Sequence, residues 1–259
     1  ISEPTIKYTI SDNCIAIITL SRPLVANALN SQMALELKDI FSKITNNIRV
    51  VIITGEGEKA FCAGADLKER YNMNVESWQI QHQQFRHVLQ SIIECPTPVI
   101  AAVNGAAYGG GLELALGCDF IYAAKTAYFA LPEVTLGIMP GMGGTQNLPR
   151  AVGLRRAKEL LFTGKAFSAQ NAYDWGMINK ICEPELLMDD VLTCAGLIAA
   201  NAILSTKAIK LATNKGFDAT MEIALFAESG HYNRLISAND RKEGVPAFNE
   251  KRKPIFTGK

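Results

Sequence analysis

Two carboxylates and one run of glycines carry the chemistry that this sequence offers. Glu113 directly follows the glycines of "AAVNGAAYGGGLELALGCD" (residues 101–119), and Glu133 sits in "ALPEVTLGIMPGMGG" (residues 130–144), each among apolar neighbours. Charged side chains are seldom fully buried without a partner or a purpose. Two carboxyls beside a polarised carbonyl can hold one water between them, one acting as base toward it and the other as acid toward carbon. Taken singly, each also has a plainer reading, Glu113 as a solvated helix residue and Glu133 as a loop or capping carboxylate. The glycines at 109–111 cost roughly 0.5–1 kcal/mol each relative to alanine inside regular structure. Without a side chain, such a residue lets an amide N–H point at a ligand oxygen, and a helix start adds partial positive charge at the same place. A second donor is offered by "AFCAGADLKER" (residues 60–70), where small residues open a short helix headed by Asp66. Two converging amides stabilise an oxyanion. Small residues also serve tight strand–helix packing, and either loop alone admits that reading.

Other chemistries lack their residues. The glycine run reads G-A-A-Y-G-G-G rather than G-x-G-x-x-G, and "TGKAFS" around Lys165 lacks the upstream glycine and the following Ser/Thr of a phosphate loop. No G-x-S-x-G elbow is present. His82 and His87 are five residues apart and His231 is alone, so no metal pair is expected and the three read as solvated or packed helix residues.

The elements that must position these groups are legible as alternating strands and helices. "IAIITL" (15–20), "RVVIIT" (49–54), "PVIAAV" (98–103) and "DFIYAA" (119–124) are short, β-branched apolar runs that read as buried strands. Met33, Leu37, Ile40 and Ile44 recur at helical spacing behind Ser31, as do Phe85, Val88, Leu89 and Ile92, and both sets read as crossover helices. From about Gly153 onward the pattern reads as almost wholly helical. The expectation is α/β, with a catalytic core over 1–195 and a C-terminal helical region over 196–259. At 259 residues and 48% hydrophobic content the chain can bury a sizeable core. Its 26 Lys+Arg against 25 Asp+Glu argue against a protein built to neutralise nucleic-acid phosphates or to lie on acidic membranes. Six scattered cysteines with no C-x-x-C pair read as reduced core thiols.

Taken together, "FCAGADLKER", "NGAAYGGGLELALGCD" and "LPEVTLGIMPGMGGTQNLPRAVG" strongly resemble the enoyl-CoA hydratase/isomerase, or crotonase, superfamily, from "RPLVANALN" to "AFNEKRKP". The wording is most similar to the methylglutaconyl-CoA hydratase branch, some of whose members bind AU-rich RNA. The resemblance implies a spiral of strand–strand–helix units, a homotrimer or homohexamer, an acyl-CoA substrate, and no cofactor beyond the coenzyme A that the substrate carries. It implies oxyanion-hole amides at Ala65 and Gly110, water activation by Glu113, proton delivery to Cα by Glu133, and positioning of Glu133 and the water by Gly141 and Gly144. Coenzyme A would be met by Ala63, Asp66, Leu67 and Lys68, and a neighbour's coenzyme A by Phe248 and Lys251. Where relatives carry a basic residue after "RP", this chain has Leu24. "RYNMNVESW" (70–78) is expected to shape the acyl end. The reduced thiols imply a reducing compartment, either the cytoplasm or the mitochondrial matrix. Two rival readings follow: an isomerase that needs only one carboxylate, and RNA binding. The second is weakened because "SQMALELKDIFSKI" offers only Lys38 and Lys43, which helical spacing places on different faces.

Overall fold

The computed structural model describes residues 3–45 and 47–259. Its ten strands are β1 (Ile6–Ile10), β2 (Ile15–Leu20), β3 (Val50–Gly55), β4 (Ala60–Cys62), β5 (Val99–Val103), β6 (Ala106–Tyr108), β7 (Phe120–Ala124), β8 (Tyr128–Ala130), β9 (Phe167–Ser168) and β10 (Lys180–Cys182). They form two sheets, a six-stranded one in the order β1-β2-β3-β5-β7-β10 and a four-stranded one in the order β4-β6-β8-β9. The α-helices are α1 (Ser31–Ser42), α2 (Leu67–Arg70), α3 (Val75–Glu94), α4 (Gly110–Gly117), α5 (Gly144–Val152), α6 (Leu154–Thr163), α7 (Ala169–Asp174), α8 (Leu187–Ala199), α9 (Ile203–Phe217), α10 (Met221–Ile236) and α11 (Asn239–Asn249).

The chain coils. β3, β5 and β7 each enter the large sheet and hand over within a few residues to β4, β6 and β8 of the small sheet; helical segments then lead to the next turn. This is the expected α/β spiral of strand–strand–helix units. In the large sheet only the β1–β2 pair is antiparallel; Ile17 pairs with Ile52, Ile52 with Ile100 and Ala101 with Ile121. Every residue of β3 and β5 is buried, because parallel strands covered on both faces must be apolar throughout. On one face Ile18, Val51, Ile53 and Ala101 pack with Met33 and Leu37 of α1 and with Phe85, Val88 and Ile92 of α3. On the other, Val50, Ile52, Ile100 and Ala102 meet Leu187, Val191, Ala195 and Ala199 of α8.

Several expectations need correction. β9 and β10 interrupt the region read as helical after Gly153, and β10 completes the large sheet by parallel pairing with β7. Strands of two and three residues are too short to carry a period. α1 is capped by Asn30, whose side chain accepts from Met33 N at 2.9 Å, so Ser31 is its first residue and Ile44 lies beyond its end. The boundary drawn after residue 195 falls inside α8, whose Ala199 still packs on the sheet. Cys62, Cys95, Cys118 and Cys182 are buried, Cys14 and Cys194 half-buried, and all six are free thiols.

Two of the three consecutive glycines are dictated by the coil itself. Gly109 holds φ +51°, and a Cβ on Gly111 would stand 2.1 Å from the carbonyl oxygen of Cys62 in β4. Backbone cannot yield there as a side chain can. Gly111→Ala should therefore destabilise the fold by about 2–4 kcal/mol, read as a lowered midpoint in urea unfolding; an unchanged midpoint would contradict the β4–α4 contact.

Candidate active site

The middle glycine is different. A Cβ on Gly110 would make only ordinary contacts, the nearest at 3.9 Å to Ala65 N and Leu29 Cδ2, so neither crowding nor a positive φ demands a glycine there. Gly110 is the first residue of α4, where the leading amides have no intrahelical acceptor. Beside it runs the 63–66 loop, held by Leu29 N donating to Gly64 O at 2.8 Å and Asp66 N donating to Leu29 O at 2.9 Å. A Cβ on Gly64 would lie 3.4 Å from Gly110 N, which brings the two loops side by side. Among the described residues, neither Ala65 N nor Gly110 N has a backbone or side-chain acceptor. Both residues line a cavity of about 710 Å³.

Both glutamates line the same cavity. Glu113, on the first turn of α4, is 3% exposed, and its Oε1 accepts from Met142 N at 2.7 Å and Gly144 N at 2.8 Å. Burial pushes its pKa up, while those two amides and, less strongly, the Arg70 guanidinium oppose the shift. Glu133 begins a short 3-10 turn (Glu133–Leu136) after β8. It is 9% exposed, and its buried Oε2 has no hydrogen-bond partner among the described residues. Burial first, and then the charge of Glu113, push its pKa up to about 7. The two environments differ in kind: amides favour the ionised form of Glu113, while Glu133 has little to favour its anion, an asymmetry that assigns base and acid roles to a carboxyl pair.

Other expected site residues are placed unevenly. Ala63 and Leu67 line the cavity, and Lys68 is exposed outside it. Asp66 is committed elsewhere: it takes Arg22 Nη2 at 2.8 Å and caps α2 through Lys68 N at 3.0 Å and Glu69 N at 3.3 Å. Its carboxylate serves the loop. Gly144 needs correction, since its amide holds Glu113 and not Glu133. Gly141 instead accepts His82 Nε2–H at 2.9 Å through its carbonyl. Phe248 is exposed on α11, Lys251 is exposed just beyond that helix, and neither lines the cavity. Leu24 is fully exposed.

His82, Arg70, Trp78 and Tyr108 line the cavity as well. Of these, Arg70 and Trp78 fall within the stretch expected to shape the acyl end. The sequence marks His82 only as a helix residue; its spacing to a glycine 59 positions later carries no signal. Among the described residues, no three His, Cys, Asp or Glu side chains gather as a metal site.

Comparison with known proteins agrees with this geometry. Residues 11–259 match the enoyl-CoA hydratase/isomerase family model. A crotonyl-CoA hydratase of Syntrophomonas wolfei is 40% identical over 247 residues, covering 95% of each chain. The mitochondrial enoyl-CoA hydratase of Pongo abelii is 39% identical, covering 95% of this chain and 84% of its own. A crystal structure of an enoyl-CoA hydratase from Bacillus anthracis superposes with a TM-score of 0.97 at 42% identity, covering 98% of this chain and 100% of that one. The chain belongs to the enoyl-CoA hydratase/isomerase family.

The Glu133 environment has a measurable cost. Its folded-state pKa stands above the usual value, so the stability it allows is fully present below the unfolded pKa and is lost as pH rises toward about 7. Glu133→Gln should thus be more stable than the parent by on the order of 1–2 kcal/mol at about pH 8, with the advantage shrinking toward about pH 5. Thermal melts of both proteins at the two pH values check this; a pH-independent difference would place the carboxyl in water.

Proposed function

We infer that this chain is an enoyl-CoA hydratase, adding water reversibly across the 2,3 double bond of an acyl-CoA thioester. The observation that carries the mechanistic reading is the pairing of two buried, unequally solvated carboxyls beside two unfilled backbone amides on one cavity. The thioester oxygen takes the N–H groups of Ala65 and Gly110. Glu113, tethered through Oε1, presents Oε2 to a water and accepts its proton as the hydroxyl oxygen bonds to Cβ. The electron pair of the double bond moves onto the thioester oxygen, where the amides and the N-terminus of α4 stabilise the enolate. Collapse of that enolate takes a proton from Glu133 onto Cα. The proton gained by Glu113 and the one lost by Glu133 then leave the pair reset once exchanged with solvent. Gly144 and Met142 hold the base in place, and coenzyme A contributes binding energy that orients the acyl group.

A homotrimer or homohexamer suits the apolar surface left on the C-terminal helices, where Phe217, Met221, Ile223 and Phe226 are each more than half exposed.

Glu113→Gln and Glu133→Gln should each lower crotonyl-CoA hydration by about 10²–10⁴, and the double variant should lose little more, because each role is useless without the other. Turnover in deuterated water with the label read at Cα tests this. An isomerase would tolerate Glu113→Gln and not Glu133→Gln.

Gly110→Pro probes the oxyanion site cleanly. Proline is at home in the first position of a helix and a Cβ on Gly110 would make only ordinary contacts of 3.9 Å or more, so the variant should fold while losing the N–H. The expected loss is about 10²–10³ in rate, measured alongside circular dichroism and coenzyme A binding; near-normal turnover in a folded variant would remove Gly110 from the oxyanion site.

A further inference from the structure

The stretch 139–142, which carries one of the two amides on Glu113, has almost nothing of its own to hold it. Among the described residues it makes no backbone–backbone hydrogen bond, and its polar contacts are two: Met142 N donates to Glu113 Oε1 at 2.7 Å, and Gly141 O accepts from His82 Nε2 at 2.9 Å. These two contacts sit on one peptide group. The carbonyl of Gly141 and the N–H of Met142 belong to the same rigid plane, so His82 grips one edge of it and Glu113 the other. A donor on the carbonyl polarises the peptide and strengthens the N–H at its far side. The support behind His82 is firm, because Phe85, Val88 and Ile92 seat α3 in the core. His82 and Leu89, two turns apart on one face of α3, meet the loop at glycines: a Cβ on Gly141 would stand 2.7 Å from His82 Nε2, and one on Gly143 2.7 Å from Leu89 Cδ2. His82 is half-buried on the cavity wall, and water can satisfy Gly141 O in its place. Water would not tie the peptide to a helix.

We propose that His82 is a positioning residue for the base: by holding and polarising the Gly141–Met142 peptide it fixes Glu113 where its second oxygen meets the attacking water. This rests on the hydratase reading of the same cavity. The charged groups that face Glu113 are Arg70 at the end of α2 and Glu133 after β8, and Arg86 of α3 lines the cavity with His82. None of these three is altered when His82 is exchanged, so a change in the titration of Glu113 reports on the peptide.

The test compares two variants. His82→Leu removes the donor, whereas His82→Gln places an amide N–H at the reach of Nε2 and has no ring to titrate. In His82→Leu, kcat for crotonyl-CoA should fall roughly tenfold with KM within about twofold, since the amides of Ala65 and Gly110 are untouched. The acid limb of kcat should move up by about half a pH unit or more, because a carboxylate with a weakened donor is harder to ionise and the base works only when ionised. His82→Gln should recover most of both effects. In the protein without substrate, amide hydrogen exchange at Met142 should be at least about threefold faster in His82→Leu and near the wild-type rate in His82→Gln. A limb that moves equally in both variants would trace to loss of the imidazole itself, and a change confined to KM would make His82 an acyl-chain contact; either overturns the proposal. So does unchanged exchange at Met142 in His82→Leu, whatever happens to turnover. A wild-type protein that hydrates no enoyl thioester overturns the hydratase reading, while the exchange comparison still decides whether His82 holds the peptide. If circular dichroism shows the leucine variant misfolded, His82→Asn, polar but too short to reach Gly141 O, carries the same expectations.

Discussion

A carboxylate in an apolar core must be supplied with donors, and most of the site follows from how this chain supplies them to Glu113. The two N–H groups come from the backbone of Met142 and Gly144, which means that the 140–144 loop must bend sharply over the end of α4. Gly143 adopts φ +95° to make that bend, and a Cβ on Gly144 would stand 3.0 Å from Glu113 Oε1. His82 of α3 closes the arrangement from outside by donating to Gly141 O. The base is therefore held by backbone whose own shape is held by a third element. Such a mount leaves one carboxylate oxygen free without leaving the charge unsupported.

The opposite choice is made at Glu133. It packs against Gly109, where a Cβ would lie 3.1 Å from its Oε1, and its Oε2 has no protein partner. Burial with few donors raises a carboxyl pKa, and burial with more of them restrains it: Glu133 has only its own backbone N–H, Glu113 two amides from another loop. One fold thus obtains two protonation behaviours from one residue type by the number of amides it turns toward each. The glycines divide in the same manner: Gly109 and Gly111 answer to the coil, whereas Gly110, where a Cβ would meet only ordinary contacts, lines the cavity.

Much of this was readable in the sequence. The four apolar runs became β2, β3, β5 and β7 because strands in a largely parallel sheet covered on both faces need near-continuous apolar sequence. Both glycine loops and both glutamates were visible because charge and flexibility among apolar neighbours contradict ordinary core composition. What escaped notice depended on distance along the chain. That Gly144 serves Glu113, 31 residues earlier, is fixed by one turn of the coil over another and leaves no local pattern. Asp66 was legible as a helix cap, but its pairing with Arg22, 44 residues away, was not. β10 leaves no pattern in the sequence because three residues contribute no period, and it forms because β7 offers it an open edge.

The coiling itself bears on how such a chain can diversify. The oxyanion amides come from two adjacent turns, the acid from the start of the next, and the tether of the base from the loop after it, so each turn delivers a fixed part of the chemistry at a fixed pitch. The segment from Arg70 to Trp78, by contrast, lies between turns, fixes no spacing among them, and lines the cavity through the two residues at its ends. Residues there can be exchanged while the reacting atoms stay registered. A lineage built on this plan can retune which thioesters it accepts by drifting in a few consecutive codons, with the machinery inherited unchanged.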